Sequence, residues 1–186
     1  INGNNIYKKN SFLIDHLGEK IFSEHISIEE IPNLTEGLGT RPFDSEGVKT
    51  RSKDIVKDGT LDTYLLDTYS AKQLNLKSTG NSGYSNINIR SSKEMSEDII
   101  ESVDDGILIT EMMGSGANLL TGDYSRGAFG YLIQKGKISH PVTNFTIASN
   151  MLDMFKNIDE IGCDFYQNSK ISCGSVMIKD MTIGGN

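Results

Sequence analysis

The chain has 186 residues, a net charge of −7 and a pI near 4.9, with 37 % hydrophobic and 23 % charged residues. That length is enough for one domain with a core of its own, and the composition reads as soluble and globular rather than disordered. The acidic balance argues against direct nucleic-acid binding, which calls for a basic stripe; here Lys and Arg are scattered among acids, as at Arg51, Lys53 and Asp54. The longest apolar runs, Ile107–Ile109 and Tyr131–Ile133, fall far short of a membrane span. No membrane association is therefore expected, the first residues show no signal-peptide pattern, and the expected location is cytoplasmic.

Ile1 to Asn10 is polar and without a structural pattern, and reads as part of a longer protein. Ser11 to Ile21 carries Phe12, Leu13, Leu17 and Ile21 near helical spacing, with Asn10 or Ser11 as its cap. Ser27 to Ile31 reads as a strand, and Leu34 to Gly47 as a loop rich in Gly, Pro and Asp. Val48 to Val56 and Thr60 to Leu66 read as the two strands of a hairpin turned at Lys57-Asp58-Gly59, since Asp-Gly between two such runs is a strong turn signal. Ser70 to Leu76 is expected to be a short helix, Ser78 to Tyr84 a loop and Asn86 to Arg90 a strand.

In the second half, Ser91-Ser92 is expected to cap a helix over Lys93 to Val103, with Met95, Ile99, Ile100 and Val103 on one face. Gly106 to Met112 reads as a buried strand. Ala117 to Leu120, Ala128 to Gln134 and Lys137 to Ile147 read as further antiparallel strands, with Lys135-Gly136 as a second hairpin turn. Asn150 to Ile158 reads as a helix, and two short strands are expected between Ile171 and Ile183. Hairpin-linked strands with three or four short helices mean an α+β fold with a predominantly antiparallel sheet. The sheet is expected to curl into a barrel or sandwich to hide its edges.

Chemistry is sparse on residue types alone. The three histidines, His16, His25 and His140, have no i, i+4 spacing, and no HExxH or HExxxH occurs, so the residues form no zinc site of their own. Gly122-Asp123-Tyr124-Ser125-Arg126-Gly127 is one residue too long for a nucleophile elbow and lies among strands. It is expected to be a tight glycine-bounded turn with an Asx-type bond from Asp123. Gly114-Ser115-Gly116 lacks the third glycine and the helix of a dinucleotide loop. The acid pairs Glu29-Glu30 and Asp104-Asp105 read as solvated faces. The hydroxyls of Thr68-Tyr69-Ser70 and Tyr124-Ser125 are candidates for contacting a peptide backbone. Cys163 and Cys173 are expected to be two reduced thiols, with a disulfide between them left open. No catalytic residue is identified.

Four stretches carry a resemblance. Thr40-Arg41-Pro42-Phe43-Asp44-Ser45-Glu46-Gly47-Val48 resembles the PFDxEG loop of the TldD/PmbA family. Tyr64 to Lys72, running on through Leu76-Lys77-Ser78-Thr79-Gly80-Asn81, is similar to that family's LLDTYSARKLGLKSTG segment. Thr121 to Ala128 resembles its TGDYSRGA turn. Cys173-Gly174-Ser175-Val176 with Met181-Thr182-Ile183-Gly184-Gly185 resembles the C-terminal signature of the PmbA (TldE) branch.

The resemblance runs from about Ile1 to Asn186. It implies that residues 1–186 are the C-terminal domain of a PmbA-like protein, an antiparallel, barrel-like layer with a few helices, whose N-terminal domain lies outside the sequence. In the family, a TldD-type subunit carries HExxxH, draws a third ligand from a Cys near its C-terminus, and acts as a zinc peptidase on unfolded or modified peptides together with a PmbA-type partner. Cys173-Gly174 sits where the TldD-type zinc Cys falls, but the two His ligands have no counterpart here. The expectation is therefore no metal and no cofactor in this chain, with zinc in a TldD-type partner subunit. The expected substrate is a peptide, held through the segment Gly122, Asp123, Tyr124 and Ser125. Antiparallel edges and the Met112, Met113, Met151 and Met154 faces leave a homodimer open. The competing expectation is a non-catalytic regulatory module that modulates a partner protein, in keeping with the family's label of DNA gyrase modulator. An independent hydrolase using Ser125 or Cys163 has no support from spacing.

Overall fold

The computed structural model describes residues 1–90, 92, 94–165 and 168–185. The chain divides into two compact units, Ile1–Arg90 with Phe165–Cys173, and Ser91–Asp164 with Gly174–Asn186. Strands dominate, and among the described residues all pairings of the named strands but one are antiparallel, which gives the expected α+β class. Among the described residues there are four short helices, and none is long and apolar enough to cross a membrane.

The first unit opens with α1 (Gly3–Tyr7), where a structureless segment was expected. Asn2 caps it by accepting a bond from the Asn4 N–H at 2.9 Å, and its apolar anchor Ile6 is buried. Position 3 admits only glycine, because a Cβ there would stand 2.3 Å from the Ser70 hydroxyl. Residues 11–21 form turns rather than the expected helix. Asp15 and Gly18 adopt left-handed φ values of 62° and 83°, which no continuous helix tolerates. The apolar spacing still succeeds as a burial pattern: Leu13 and Ile21 are core residues, and Tyr64 donates its hydroxyl to the Leu13 carbonyl at 2.8 Å.

The unit's sheet comprises β1 (Ile28–Glu30), β2 (Lys53–Lys57), β3 (Thr60–Leu61), β4 (Ile87–Ile89) and β9 (Ile171–Ser172), in the order β3-β2-β1-β4-β9. Asp58 and Gly59 make the expected turn, both at positive φ, as a two-residue type I′ connection requires. Both hairpin strands are shorter than expected. Residues before Lys53 bond the 41–44 loop, as Thr50 N–H does with the Pro42 carbonyl at 3.1 Å. Beyond Leu61 the chain leaves β2, and Leu65 pairs with the start of α1. Helix α2 (Thr68–Gln73) follows and packs on α1, with Tyr7 and Tyr69 edge to face at 5.5 Å between centroids. Ile26, Ile55, Val56, Leu61 and Leu66 fill the core, each contributing roughly 1.5–3 kcal/mol by burial.

The second unit carries α3 (Ser96–Ser102). Its N-cap is Met95, whose N–H donates to Asp98 at 3.0 Å, so the cap falls later than the expected Ser91-Ser92; Ser91 and Lys93 lie outside the described residues. Its main sheet has β5 (Asp105–Met113), β6 (Asp123–Gln134), β7 (Lys137–Asn150) and β11 (Thr182–Gly184), in the order β11-β7-β6-β5. Lys135 and Gly136, both at positive φ, turn the β6–β7 hairpin as expected. Asn150 caps α4 (Met151–Lys156), which leads into β8 (Ile158–Ile161), paired with β10 (Val176–Ile178). The tail thus holds three short strands rather than two. The core is built on Ala128, Phe145 and Ile147, with Ile107, Ile109, Tyr124, Val142 and Met181 against them.

Two strand expectations fail in this unit. Ala117 to Leu120 is a turn, touching β6 only at the Ala117–Tyr124 bridge, because Asn118 accepts from the Leu120 N–H at 3.0 Å and closes an Asx-type turn. Gly106 to Met112 is a strand but not a buried one; as β5 it ends the sheet, and Met112 and Met113 are 45 % and 47 % exposed. Among the described residues no sheet closes into a barrel. Three of the four outer strands of the larger sheets, β3, β9 and β11, are instead only two or three residues long, and brevity is itself a protection for an edge.

Candidate functional site

In the first unit the polar residues of the recognised loops are spent on one another. Asp44 is buried and accepts from the N–H groups of Glu46 at 2.9 Å and of Val48 and Ser82 at 3.0 Å. Burial pushes its carboxyl up, but the three N–H groups and nearby Arg41 outweigh that and hold it below the ordinary range. Glu46 receives both the N–H and the hydroxyl of Thr68 at 2.8 Å. Asp67 caps α2, accepting from Ser70 N–H at 2.7 Å and Ser70 Oγ at 2.6 Å, and the Ser70 hydroxyl chiefly depresses its carboxyl. Arg41 ties the far side, donating to the carbonyls of Ser82 and Gly83. The Thr68 and Ser70 hydroxyls, candidates for peptide contact, are therefore already engaged, and Ser70 is fully buried. A carboxylate held this firmly ionised does not serve as a general acid near neutral pH.

Sequence reasoning missed a fully buried carboxylate. Glu30, expected on a solvated face, is 0 % exposed. It lies opposite Lys53 in the β1–β2 ladder and accepts its ammonium at 2.5 Å. Asn81 Nδ2 approaches both carboxylate oxygens at 2.9 and 2.7 Å, and Ser85 donates its N–H at 2.7 Å and hydroxyl at 2.9 Å. Burial raises the Glu30 carboxyl, and Lys53, Asn81 and Ser85 together bring it below its usual range. The signal was the strand period: Glu30 shares a strand face with Ile28, two residues back. Its neighbour Glu29 is half-exposed and pairs with Arg90 at 3.1 Å, and Asp104 and Asp105 are exposed, as a solvated face requires.

In the second unit, Gly122 (φ 81°) leads into β6, and Asp123, Tyr124 and Ser125 are its first strand residues. Asp123 and Ser125 are exposed, while Tyr124 faces the core and donates its hydroxyl to the Met112 sulfur at 3.2 Å. The Asx bond belongs to Asn118 rather than Asp123; Asp123 Oδ2 instead accepts the Thr121 hydroxyl at 2.6 Å. Several main-chain groups here are occupied. Asp123 C=O accepts from Asn118 N–H at 2.8 Å, Ser125 N–H donates to the Gly116 carbonyl at 2.9 Å, and β7 pairs along the other side. The exposed side chains of Asp123 and Ser125 are placed to meet a ligand at Gly122–Ser125. Arg126 secures the adjoining loop by donating to the carbonyls of Met112, Met113 and Gly114. His140 is no base for Ser125: it adjoins Pro141, which pairs with Tyr131, six residues and about 20 Å along β6.

The C-terminal signature is also a packing device. Ser175 donates its hydroxyl to Asp164 at 2.6 Å and its N–H at 2.9 Å, and a Cβ on Gly174 would lie 1.9 Å from the Gly162 carbonyl oxygen. Cys163 and Cys173 are half-buried thiols, with Cys163 Sγ 3.3 Å from the Met95 sulfur. Among the described residues no group of three or more His, Cys, Asp or Glu is placed to hold a metal ion, so these residues do not fit a catalytic zinc, which needs three protein ligands.

Residues 1–185 match the family described as the PmbA/TldA metallopeptidase C-terminal domain. The chain is 45 % identical over 186 residues to the Metalloprotease PmbA of Escherichia coli O157:H7, an alignment covering 100 % of this chain and 41 % of that protein. It is 28 % identical over 204 residues to a Metalloprotease TldD homolog of Buchnera aphidicola from Acyrthosiphon pisum, covering 96 % of this chain and 42 % of that one. A proposed modulator of DNA gyrase from Bacteroides thetaiotaomicron superposes with a TM-score of 0.96 at 34 % identity, over 100 % of this chain and 42 % of that structure. The chain thus spans about two fifths of the relatives it matches, and its motifs, their order and its fold make it a member of the PmbA/TldD family.

Proposed function

We propose that this chain is the C-terminal domain of the non-metal subunit of a two-protein peptidase, contributing to proteolysis of unfolded or modified peptides beside a zinc-carrying, TldD-type partner. The observation that carries this reading is the difference in identity, 45 % to a protein named PmbA against 28 % to one named TldD. In this arrangement, located in the cytoplasm, zinc held by the partner would supply Lewis-acid chemistry at the scissile peptide bond. The present chain helps to enclose and hold the peptide, and at the Gly122–Ser125 segment the exposed side chains of Asp123 and Ser125 make the contact. The test is turnover of an unfolded peptide by the partner with and without the full-length protein. Turnover that rises on mixing supports the reading, and turnover unchanged by a stably bound protein overturns it.

A second reading, a non-catalytic module that modulates a partner protein, is favoured by the gyrase-modulator description of the Bacteroides thetaiotaomicron structure. It predicts stable association with no gain in peptide turnover.

A further inference from the structure

We propose that a cleft at the ends of α1 and α2 binds a small zwitterion with an apolar body, a dipeptide or a free amino acid. The cleft has a volume of about 500 Å³, within the roughly 300–1,000 Å³ of small-molecule sites. It lies wholly in the first unit, where the C-terminal ends of α1 and α2 meet the turns of residues 14–17. Ile6, Ile14, Leu17 and Leu74 give it an apolar wall, and Leu17 is exposed although large and apolar. Lys9 and Asp15 add one charge of each sign. In the recognised loops such side chains are spent on one another. Here, among the described residues, neither Lys9 nor Asp15 has an ion-pair partner, and the two do not pair with each other.

The backbone singles out Lys9. The Asn10 N–H donates to the Asn5 carbonyl at 2.8 Å and the Lys9 N–H to the Ile6 carbonyl at 3.0 Å. These bonds close α1 in a Schellman cap with Lys9 at its left-handed position, φ 58°. Glycine is the residue that this position favours, since it has no Cβ to strain. Helix α2 ends in the same cap, with the Leu76 N–H on the Ala71 carbonyl at 2.9 Å, and there Asn75, a usual substitute for glycine, stands at φ 56°. A lysine in the glycine place is explained by its side chain and not by its backbone.

Charge selects the ligand. An anion would meet Asp15 and a cation would meet Lys9. A zwitterion gives its carboxylate to Lys9 and its ammonium to Asp15, and lays an aliphatic side chain on the apolar wall. Peptide cleavage releases such molecules, so on the peptidase reading the cleft takes a product; the binding itself does not depend on that reading.

The test titrates the full-length protein by ligand-observed NMR at low salt with Leu-Leu, N-acetyl-Leu-Leu and Leu-Leu amide. Leu-Leu is expected to bind about fivefold tighter than either capped form. Lys9→Gly suits the left-handed backbone and should melt no lower than the unmodified protein, yet Leu-Leu and its amide should then bind alike. Asp15→Asn keeps a residue type that tolerates φ 62°, and it should make Leu-Leu and its acetyl form bind alike. Free leucine titrated beside Leu-Leu separates the two sources, the tighter of them being the ligand. No binding of either, equal binding of free and capped forms, equal binding of Ser-Ser, or indifference to both substitutions would each overturn the proposal. Peptide turnover with a TldD-type partner is a separate readout: its absence sinks the peptidase role and leaves the cleft standing, whereas lost binding with normal turnover sinks only the cleft.

Discussion

Replacing Glu30 by Gln keeps the shape of the side chain and removes its charge. Lys53, whose side chain is 12 % exposed, then faces a neutral amide at 2.5 Å instead of a carboxylate, and one of the Asn81 and Ser85 donors meets an NH2 group. Breaking a buried pair in this way costs about 3–5 kcal/mol, because a charge is left behind without compensation. For a chain of this length that lowers Tm by roughly 10 °C. Urea unfolding of E30Q, K53M and E30Q/K53M closes a double-mutant cycle, and the coupling energy is expected at about 2 kcal/mol or more, with the double variant recovering part of the loss. The pH dependence follows from the same contacts. The folded Glu30 carboxyl lies below its ordinary value of 4.5, so its contribution is fully present above that value and drains as pH falls through the lower, folded value. The acid limb of the stability curve should therefore be shallower in E30Q. A loss under about 1 kcal/mol, or additive single substitutions, would refute the claim that Glu30 and Lys53 are a coupled buried pair.

Further outcomes follow from the other contacts. Gly174→Ala must displace the Gly162 carbonyl and should lower stability by about 1–3 kcal/mol or more, read from the urea midpoint; a neutral effect contradicts the close approach. Arg126→Met, which leaves three carbonyls without their donor, should destabilise by about 1 kcal/mol and speed proteolytic cleavage within residues 114–121. Asp123→Ala loses one exposed bond to Thr121 and should leave the fold intact while impairing peptide cleavage by the assembled pair; unchanged turnover removes Gly122–Ser125 as a peptide contact. Asp44, Asp67 and Asp164 all sit below the ordinary 3.8, so stability should fall further as pH drops beneath that value, as followed by circular dichroism.

Local signals in the sequence were reliable where one residue type has one physical meaning. Asp58-Gly59 and Lys135-Gly136 became the hairpin turns because positive φ is what those positions supply. Helices were found where Ser70 to Leu76 and Asn150 to Ile158 were expected, but their caps, Asp67 and Asn150, were not foreseen, and the expected Ser91-Ser92 cap gave way to Met95. Periodicity failed where tertiary context overruled it. Residues 11–21 have helical spacing, but Asp15 and Gly18 turn left-handed and the same residues bury without a helix. Glu30 reads as a surface acid unless Lys53, Asn81 and Ser85, 23 to 55 residues away, are known to converge on it. Residues of the motifs that reveal the family are engaged in bonds within the fold, Asp44 to Ser82, Glu46 to Thr68 and Ser175 to Asp164, so they specify the fold more directly than they specify chemistry. The edge position of β5 was invisible for the same reason: an Ile- and Leu-rich run looks alike in the middle of a sheet and at its border.

The most direct test of the functional account is the zinc content and peptide turnover of the full-length protein, alone and mixed with the proposed TldD-type partner. The account predicts no stoichiometric zinc and no cleavage alone, with cleavage in the mixture. Stoichiometric zinc together with cleavage by the isolated protein would contradict it and would make Cys173 a genuine ligand.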